Sequence, residues 1–287
     1  MRNIIANVKS GKGRGLKNIK KIAKYCLFHN IPYALYLTNK KGHATELASS
    51  LTKNGGTIVA LGGDGTFHEV LNGIVDMENT VLGFIPSGRG NDFARSLGAS
   101  LNPIEALEDI LRGEVENIDY IQAGQKRCLN VGGTGLDVEI LRHVEGKTNK
   151  ITYLVSLLAC LKNFKSYKVK ITLNGETKEH DCIIAGVCNG RAFGGNIPLA
   201  PKADIKDGKL DLVVIDMPAN GKVFPLVPKF LKGRHLEFDI THYTQCDEVL
   251  IESEASVELD GEIYDDVTLD CKLVKGGLKT FKLSERK

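Results

Sequence analysis

No apolar run in this 287-residue chain is long enough to span a bilayer. The longest, Ile151 to Leu161, falls well short of the roughly 20 residues a transmembrane helix needs. The first residues, MRNIIANVKSGKG, lack the hydrophobic core of a signal peptide. A cytoplasmic protein is therefore expected, whose contact with any membrane is peripheral. Tryptophan is absent, and none of the seven cysteines belongs to a Cys-x-x-Cys pair. Several lie in apolar runs such as CIIAGVC, so buried, reduced thiols are expected rather than a disulfide framework. There is no internal repeat and no low-complexity segment. The composition, 42% hydrophobic and 25% charged, is that of a globular protein of one large or two medium domains.

Each end of the chain lacks one sign of charge. No acidic residue precedes Glu46, while ten Lys or Arg do. Lys and Arg are missing from Leu236 to Cys271, a stretch with twelve Asp or Glu. The basic end suits phosphates or an anionic membrane surface, and the acidic end a metal or a proton. Two solvated faces of opposite sign would leave the same pattern. The net charge of +3 is too small to imply nucleic-acid binding, and no nucleic-acid partner is expected.

Apolar periodicity predicts strands over 2–8, 33–37, 57–61 and 81–85. It predicts helices over 17–29, 44–53 and 67–75. This alternation argues for a parallel sheet covered by helices, with ligands at the carboxyl ends of the strands. The pattern changes near Asn130. One more helix is expected over 151–164, and then alternating segments with NG and DG turns read as antiparallel hairpins. The expected parse is an α/β domain over 1–130 followed by a mostly antiparallel β domain over 131–277. Residues 278–287 are candidates to pack back on the first.

Two glycine-rich loops follow consecutive strands. In Gly62-Gly63-Asp64-Gly65-Thr66 the glycines let backbone N–H groups face an anion at a helix start. No Gly-Lys-Ser/Thr follows, so it is not a Walker loop, and the spacing is not that of a dinucleotide fingerprint. A carboxylate beside a phosphate calls for a divalent metal between them, which makes Asp64 notable. The plain alternative is a strand–turn–helix corner capped by Asp64. The second loop, Pro86-Ser87-Gly88-Arg89-Gly90-Asn91-Asp92, is either a further phosphate contact or an N-cap of the next helix. Two such loops should line one crevice, joined by Asn7-Val8-Lys9-Ser10-Gly11 after the first strand. Asp260 lies in an Asp-Gly turn, at home in a hairpin and equally placed to act as a base at a strand end. The seven histidines show no metal-ligand spacing, and no HExxH motif or nucleophile elbow is present.

Together these segments resemble the bacterial diacylglycerol-kinase-like lipid kinase family, part of a larger group with the NAD kinases. The first loop matches that family's Asn-Pro-x-Ser-Gly with Val8 for Pro. GGDGT with FHEVLNGI matches closely, and GRGNDFAR matches Gly-Thr-x-Asn-Asp-Phe-Ala-Arg with Arg89 for Thr. GTGLDVEI, AGVCNGRAFGGNIPLAPKADIKDGKLDL and VELDGE resemble its later signatures. The resemblance covers nearly the whole chain and implies the two-domain NAD kinase/diacylglycerol kinase-like fold and ATP-dependent phosphorylation of a lipid hydroxyl, chiefly that of diacylglycerol.

It further implies ATP contacts from Asn7, Val8, Lys9, Ser10, Gly11, Thr38, Gly63, Asp64, Gly65, Thr66, Phe67, His68 and Glu69, with Arg89 at the variant position. Asp260 would be the general base. Glu262 would help hold the nucleotide and its Mg²⁺, within an acidic surround that Asp64 and Asp92 complete. Asp204, Asp207 and Lys209 would bind a structural Mg²⁺, the lysine through its carbonyl oxygen only. The expected partners are ATP and a lipid at the inner face of the membrane. Lysines 9, 12, 17, 20, 21 and 24 with Arg14 would face anionic headgroups. The apolar helix near Leu154 to Phe164 and the loop Ala192 to Leu199 would seat acyl chains, or form ordinary core. A soluble NAD-kinase-like enzyme and a binding module without chemistry are the alternatives. The acceptor lipid and the oligomeric state stay open, a homodimer being the commonest assembly.

Overall fold

A computed structural model of the chain describes residues 2–144, 150–162, 164–265 and 267–284. It divides into two compact units, Met1–Asp119 with Gly276–Lys287, and Tyr120–Lys275.

The first unit begins β1 (Arg2–Ala6), α1 (Ser10–Phe28), β2 (Tyr33–Leu37), α2 (His43–Leu51), β3 (Gly56–Gly62), α3 (Asp64–Gly73) and β4 (Thr80–Pro86). α4 (Asp92–Leu97) and α5 (Pro103–Arg112) follow. The strands form a parallel sheet in the order β4-β3-β1-β2. Lys279 and Thr280, near the end of the chain, pair in parallel with Val81 and Leu82 of β4. Helices on both faces explain why Ile58 to Leu61 of β3 is an unbroken, fully buried apolar run. With no tryptophan available, Phe67, Phe84 and Phe93 supply the aromatic bulk, as edge-to-face pairs 5.1 and 5.0 Å apart.

Several boundaries differ from the sequence reading. β1 stops at Ala6, and α1 opens at Ser10 with a non-helical turn, because Gly11, Lys12 and Gly13 have φ of 58°, 58° and 90°. α3 starts at Asp64 rather than near Phe67, so the second half of GGDGT is already helix. α5, which the reading did not place, has an ordinary start: the Asn102 side chain accepts the Ile104 N–H at 3.1 Å ahead of Pro103.

From Tyr120 onward the second unit takes in the end of β5 (Val115–Ala123), then β6 (Lys126–Cys128), β7 (Val131–Gly135), α6 (Leu136–Val144) and α7 (Lys150–Leu161). Next come β8 (Tyr167–Leu173), β9 (Glu176–Cys188), β10 (Ala192–Phe193), β11 (Ile197–Pro198) and β12 (Leu210–Asp216). α8 (Val227–Phe230), β13 (Thr241–Cys246), β14 (Glu248–Ser253), β15 (Val257–Leu259), β16 (Glu262–Tyr264) and β17 (Leu269–Phe281) complete it, the end of β17 belonging to the first unit. Its pairings are antiparallel. β9 is central, bound to β8 along its first half and to β7 and β12 along its second. The fold class is thus an α/β domain with a parallel sheet followed by an antiparallel β domain. One face of that antiparallel sheet packs a core of Val169, Cys182, Val187, Leu212 and Leu259. α6 and α7 help build a second core with Leu136, Ile140, Tyr153 and Leu157. All seven cysteines are free, and only Cys160 is not fully buried. Among the described residues, no helix is long and apolar enough to cross a membrane.

Candidate active site

Three loops of the first unit meet at the carboxyl ends of β1, β3 and β4. Their closeness depends on missing side chains. A Cβ on Gly88 would lie 2.5 Å from the Gly63 Cα, and one on Gly63 would lie 2.9 Å from the Gly88 Cα. The Ser87 N–H donates to the Gly62 carbonyl at 2.6 Å, locking the second and third loops together. The first loop joins them through three contacts. Asn7 Nδ2 donates to Thr66 Oγ1 at 3.2 Å, Asn18 Nδ2 to Ser87 Oγ at 3.2 Å, and the Arg14 guanidinium to the Gly88 carbonyl. Within that loop the Asn7 side chain accepts the Lys9 N–H at 3.0 Å, and Ser10 Oγ donates to the Asn7 carbonyl at 2.9 Å. A Cβ on Gly11 would strike the Ser87 carbonyl at 2.3 Å. Thr38 stands at the end of β2, its N–H donating to the Ala6 carbonyl at 3.0 Å beside Asn7.

The sequence-predicted nucleotide residues divide sharply here. Asn7, Ser10, Gly11, Gly63, Thr66 and Arg89 belong to the joined loops, and Val8, Lys9, Asp64, Gly65 and Asp92 flank them. Phe67 and His68 are buried in the helix–sheet core and offer a ligand at most their backbone. Glu69 turns away. Its two carboxylate oxygens accept the Gly42 and Ala44 N–H groups at 2.9 and 3.1 Å, so it serves the amino end of α2. Arg89 is half-buried, and its Nη1 is out of solvent with no acceptor. A buried guanidinium nitrogen without a partner is costly, and an anion relieves that cost.

Gly90 separates two carboxylates: a Cβ there would meet Asp92 Oδ2 at 3.0 Å and Asp64 Oδ2 at 3.2 Å. Asp64 Oδ1 also accepts the Phe93 N–H at 3.2 Å. Two oxygens converging on one bare glycine fit a hard divalent cation.

The second unit holds Asp260 in a two-residue hairpin turn between β15 and β16. Asp260 and Gly261 have φ of 53° and 85°, the left-handed pair of a tight β-turn. Its carboxylate is fixed by the end of β6 and the bend that leads into β7. Oδ1 accepts the Asn130 N–H at 2.8 Å and the Cys128 thiol at 3.2 Å, and Oδ2 accepts the Leu129 N–H at 2.8 Å. The side chain is only half-buried, so a ligand can reach it. Glu262 opens β16, also half-buried.

Sequence reasoning assigned no role to two acids next to this hairpin. Glu258 is buried, with Oε2 accepting the Gly261 N–H at 2.7 Å and Oε1 without a partner. Burial first, then the negative Asp137, pushes its pKa well above the carboxylate range. Asp137, in the first turn of α6, is 1% exposed, and neither oxygen makes a well-formed hydrogen bond. Burial raises its pKa to about 7, against a weaker pull from the nearby Asp137 and Val138 amides. It lines an apolar cavity of about 520 Å³, open mouth included, with Leu136, Ile140, Tyr153, Leu157, Phe193 and Phe230. The stretches expected to seat acyl chains contribute Leu157, Leu161 and Phe193 to it. Asn163, at the end of the expected helix, lies outside the described residues.

Asp204, Asp207 and Lys209 form one exposed turn. The Asp204 side chain accepts the Lys206 N–H at 3.0 Å, and Asp207 Oδ1 accepts the Lys209 N–H at 2.9 Å. Lys209 Nζ donates to Asp247 Oδ1 at 3.0 Å; an ammonium has no lone pair for a metal, so the lysine could ligate only through its carbonyl. The set of carboxylate and carbonyl oxygens fits Mg²⁺ in type. Nearby Asp211 is fully buried, accepts the Tyr243 hydroxyl at 2.5 Å and leaves Oδ2 without a partner.

Both units of the chain are similar to known proteins. Residues 3–123 match the diacylglycerol kinase catalytic domain, and residues 130–282 match the YegS C-terminal NAD kinase beta sandwich-like domain. A diacylglycerol kinase of Bacillus subtilis (strain 168) is 27% identical over 268 residues, covering 90% of this chain and 88% of that one. One from Mycobacterium tuberculosis (strain ATCC 25618 / H37Rv) is 28% identical over 247 residues, covering 82% and 80%. The crystal structure of a diacylglycerol kinase from Bacillus anthracis superposes with a TM-score of 0.77 at 27% identity, covering 98% of this chain and 96% of that one.

Proposed function

This chain belongs to the bacterial diacylglycerol-kinase-like lipid kinase family, and on that premise we propose that it transfers the γ-phosphoryl group of ATP to a lipid hydroxyl, with diacylglycerol as acceptor and phosphatidic acid as product. The observation that carries this reading is the contact of the Gly63 and Gly88 backbones, with Arg89 in the same loop holding a buried nitrogen that has no acceptor. A phosphate oxygen is the acceptor that nitrogen lacks.

Phosphoryl transfer asks for positioned phosphates, an offset to their charge and a base for the attacking hydroxyl. The joined loops, with Asn7, Ser10, Gly63 and Arg89, position the triphosphate. Thr38 and the backbone of α3's first turn extend that cradle. Asp64 and Asp92 would hold Mg²⁺ with the nucleotide; when bound, the ion offsets phosphate charge. Asp204, Asp207 and the Lys209 carbonyl would hold a second, structural ion. Asp260 accepts the proton as the lipid oxygen attacks, and its anchorage at Leu129 and Asn130 fixes where that proton is received. The apolar cavity beside α6 and α7 suits an acyl chain, and Asp137 is the polar group in its wall. We place the enzyme at the inner membrane surface, docked through the lysines of α1. Leu27 and Phe28 at the end of that helix are 80% exposed, so they add apolar contact to that charge.

The test is ATP consumption with Mg²⁺, in mixed micelles of detergent and diacylglycerol and separately with NAD. Turnover is expected with the micelles alone. Turnover with NAD in place of lipid would replace this reading by the soluble NAD-kinase type.

A further inference from the structure

Three strands of the second unit bring together side chains far apart in sequence. Asp216 closes β12, His180 comes from β9 and His242 from β13. His180 Nδ1 lies 3.0 Å from Asp216 Oδ1, and His242 Nε2 lies 2.7 Å from Asp216 Oδ2. The imidazole centroids are 5.0 Å apart. The three potential ligand atoms all lie within 4.8 Å of one another, the one such grouping of His, Cys, Asp or Glu found among the described residues.

Strand register explains the meeting. His242 pairs with Val214 across β12–β13, and Asp216, two residues on, shares that face. Between β12 and β9 the register slips: Ile215 faces Ile184, but Asp216 faces Cys182. This bulge turns Asp216 to the face that Cys182 shares with His180. An in-step pairing would have set Asp216 against Ile183. The histidines lie 36 and 26 residues from the aspartate, so no sequence spacing announces the site.

We propose that His180, Asp216 and His242 form a binding site for a borderline divalent transition-metal ion, of which Zn²⁺ is the type. Two imidazole nitrogens and one carboxylate are a donor set for Zn²⁺ rather than for Mg²⁺, which keeps to oxygen ligands. Tetrahedral zinc with ligands at 2.0–2.2 Å spaces them about 3.3 Å apart; the two carboxylate–imidazole separations of 3.0 and 2.7 Å would open slightly, and all three atoms already lie within 4.8 Å of one another. The side chains of His180, Asp216 and His242 are 14%, 28% and 53% exposed, so the ion has a route in and keeps one position for water or a phosphate oxygen. Bound there, it ties β9, β12 and β13 together. The proposal does not depend on the lipid kinase reading.

The test uses the full chain without a histidine tag, stripped of metal by a chelator. Zn²⁺ is titrated by calorimetry, and Co²⁺ is followed by its visible spectrum. One ion per chain is expected, with a cobalt spectrum of nitrogen and oxygen ligands. His242→Ala changes a half-exposed side chain, and circular dichroism checks that it folds. It and Asp216→Asn should each weaken binding at least about tenfold, since even outer partners of metal ligands cost that much. Zn²⁺ should raise the melting temperature of the parent protein and not of His242→Ala. Absence of stoichiometric binding, binding unchanged in both variants, or a thiolate charge-transfer band that puts cobalt on cysteine would each overturn the site.

Discussion

A carboxylate that receives two main-chain N–H groups and a thiol has a fixed position, and Asp260 is such a group. Fixing it serves a base, which must meet one particular proton. Asp260→Asn is therefore expected to lower kcat by about 10²–10⁴-fold with little change in the KM for ATP. Steady-state kinetics check this, and a fall in kcat that merely followed loss of folded protein would assign the residue to the hairpin instead. Arg89→Ala removes a charge-assisted contact of about 1.5–3 kcal/mol, so the KM for ATP should rise by about tenfold or more. Asp137 acts on stability. Its folded pKa of about 7 lies above the ordinary 3.8, so the folded state holds a proton that the unfolded state has released. Its contribution is greatest at low pH and is lost as pH rises from about 4 to 7. Asp137→Asn should flatten the fall in melting temperature between pH 5.5 and pH 8. An unaltered fall would show that burial does not perturb this carboxyl.

At the scale of elements, the nucleotide site we propose depends on three strand ends that approach within backbone contact. Gly88→Ala places a methyl group 2.5 Å from the Gly63 Cα, where only main chain could yield. The loops must separate, and nucleotide affinity measured by calorimetry should fall at least tenfold while the unit stays folded. The loops were legible in the sequence because each is contiguous and each follows an apolar strand. Strand–helix alternation likewise announced the parallel sheet, and the NG and DG turns announced the hairpins. Glu69 was not legible as the partner of Gly42 and Ala44, because that bond depends on how α2 packs against α3. LDVEI gave no sign that Asp137 would be buried against a cavity, since the strands and helices around it come from later segments of the chain. The His180–Asp216–His242 group depends on a one-residue slip between strands, which no local pattern records.

For the molecule as a whole, charge is divided along the chain. A membrane contact through the lysines of α1 predicts that vesicles rich in anionic lipid bind the protein at low salt and release it as ionic strength rises. Neutral vesicles should bind it weakly at every salt concentration. Phosphoryl transfer to a lipid is the central claim, and ATP labelled in its γ-phosphate tests it most directly. The parent protein and Asp260→Asn are each incubated with this ATP, Mg²⁺ and diacylglycerol micelles, and the organic phase is counted after extraction. Label is expected in phosphatidic acid for the parent protein and to fall by at least a hundredfold, by the same estimate, for a variant that still binds ATP. An organic phase without label, or equal labelling by the two proteins, would contradict the account.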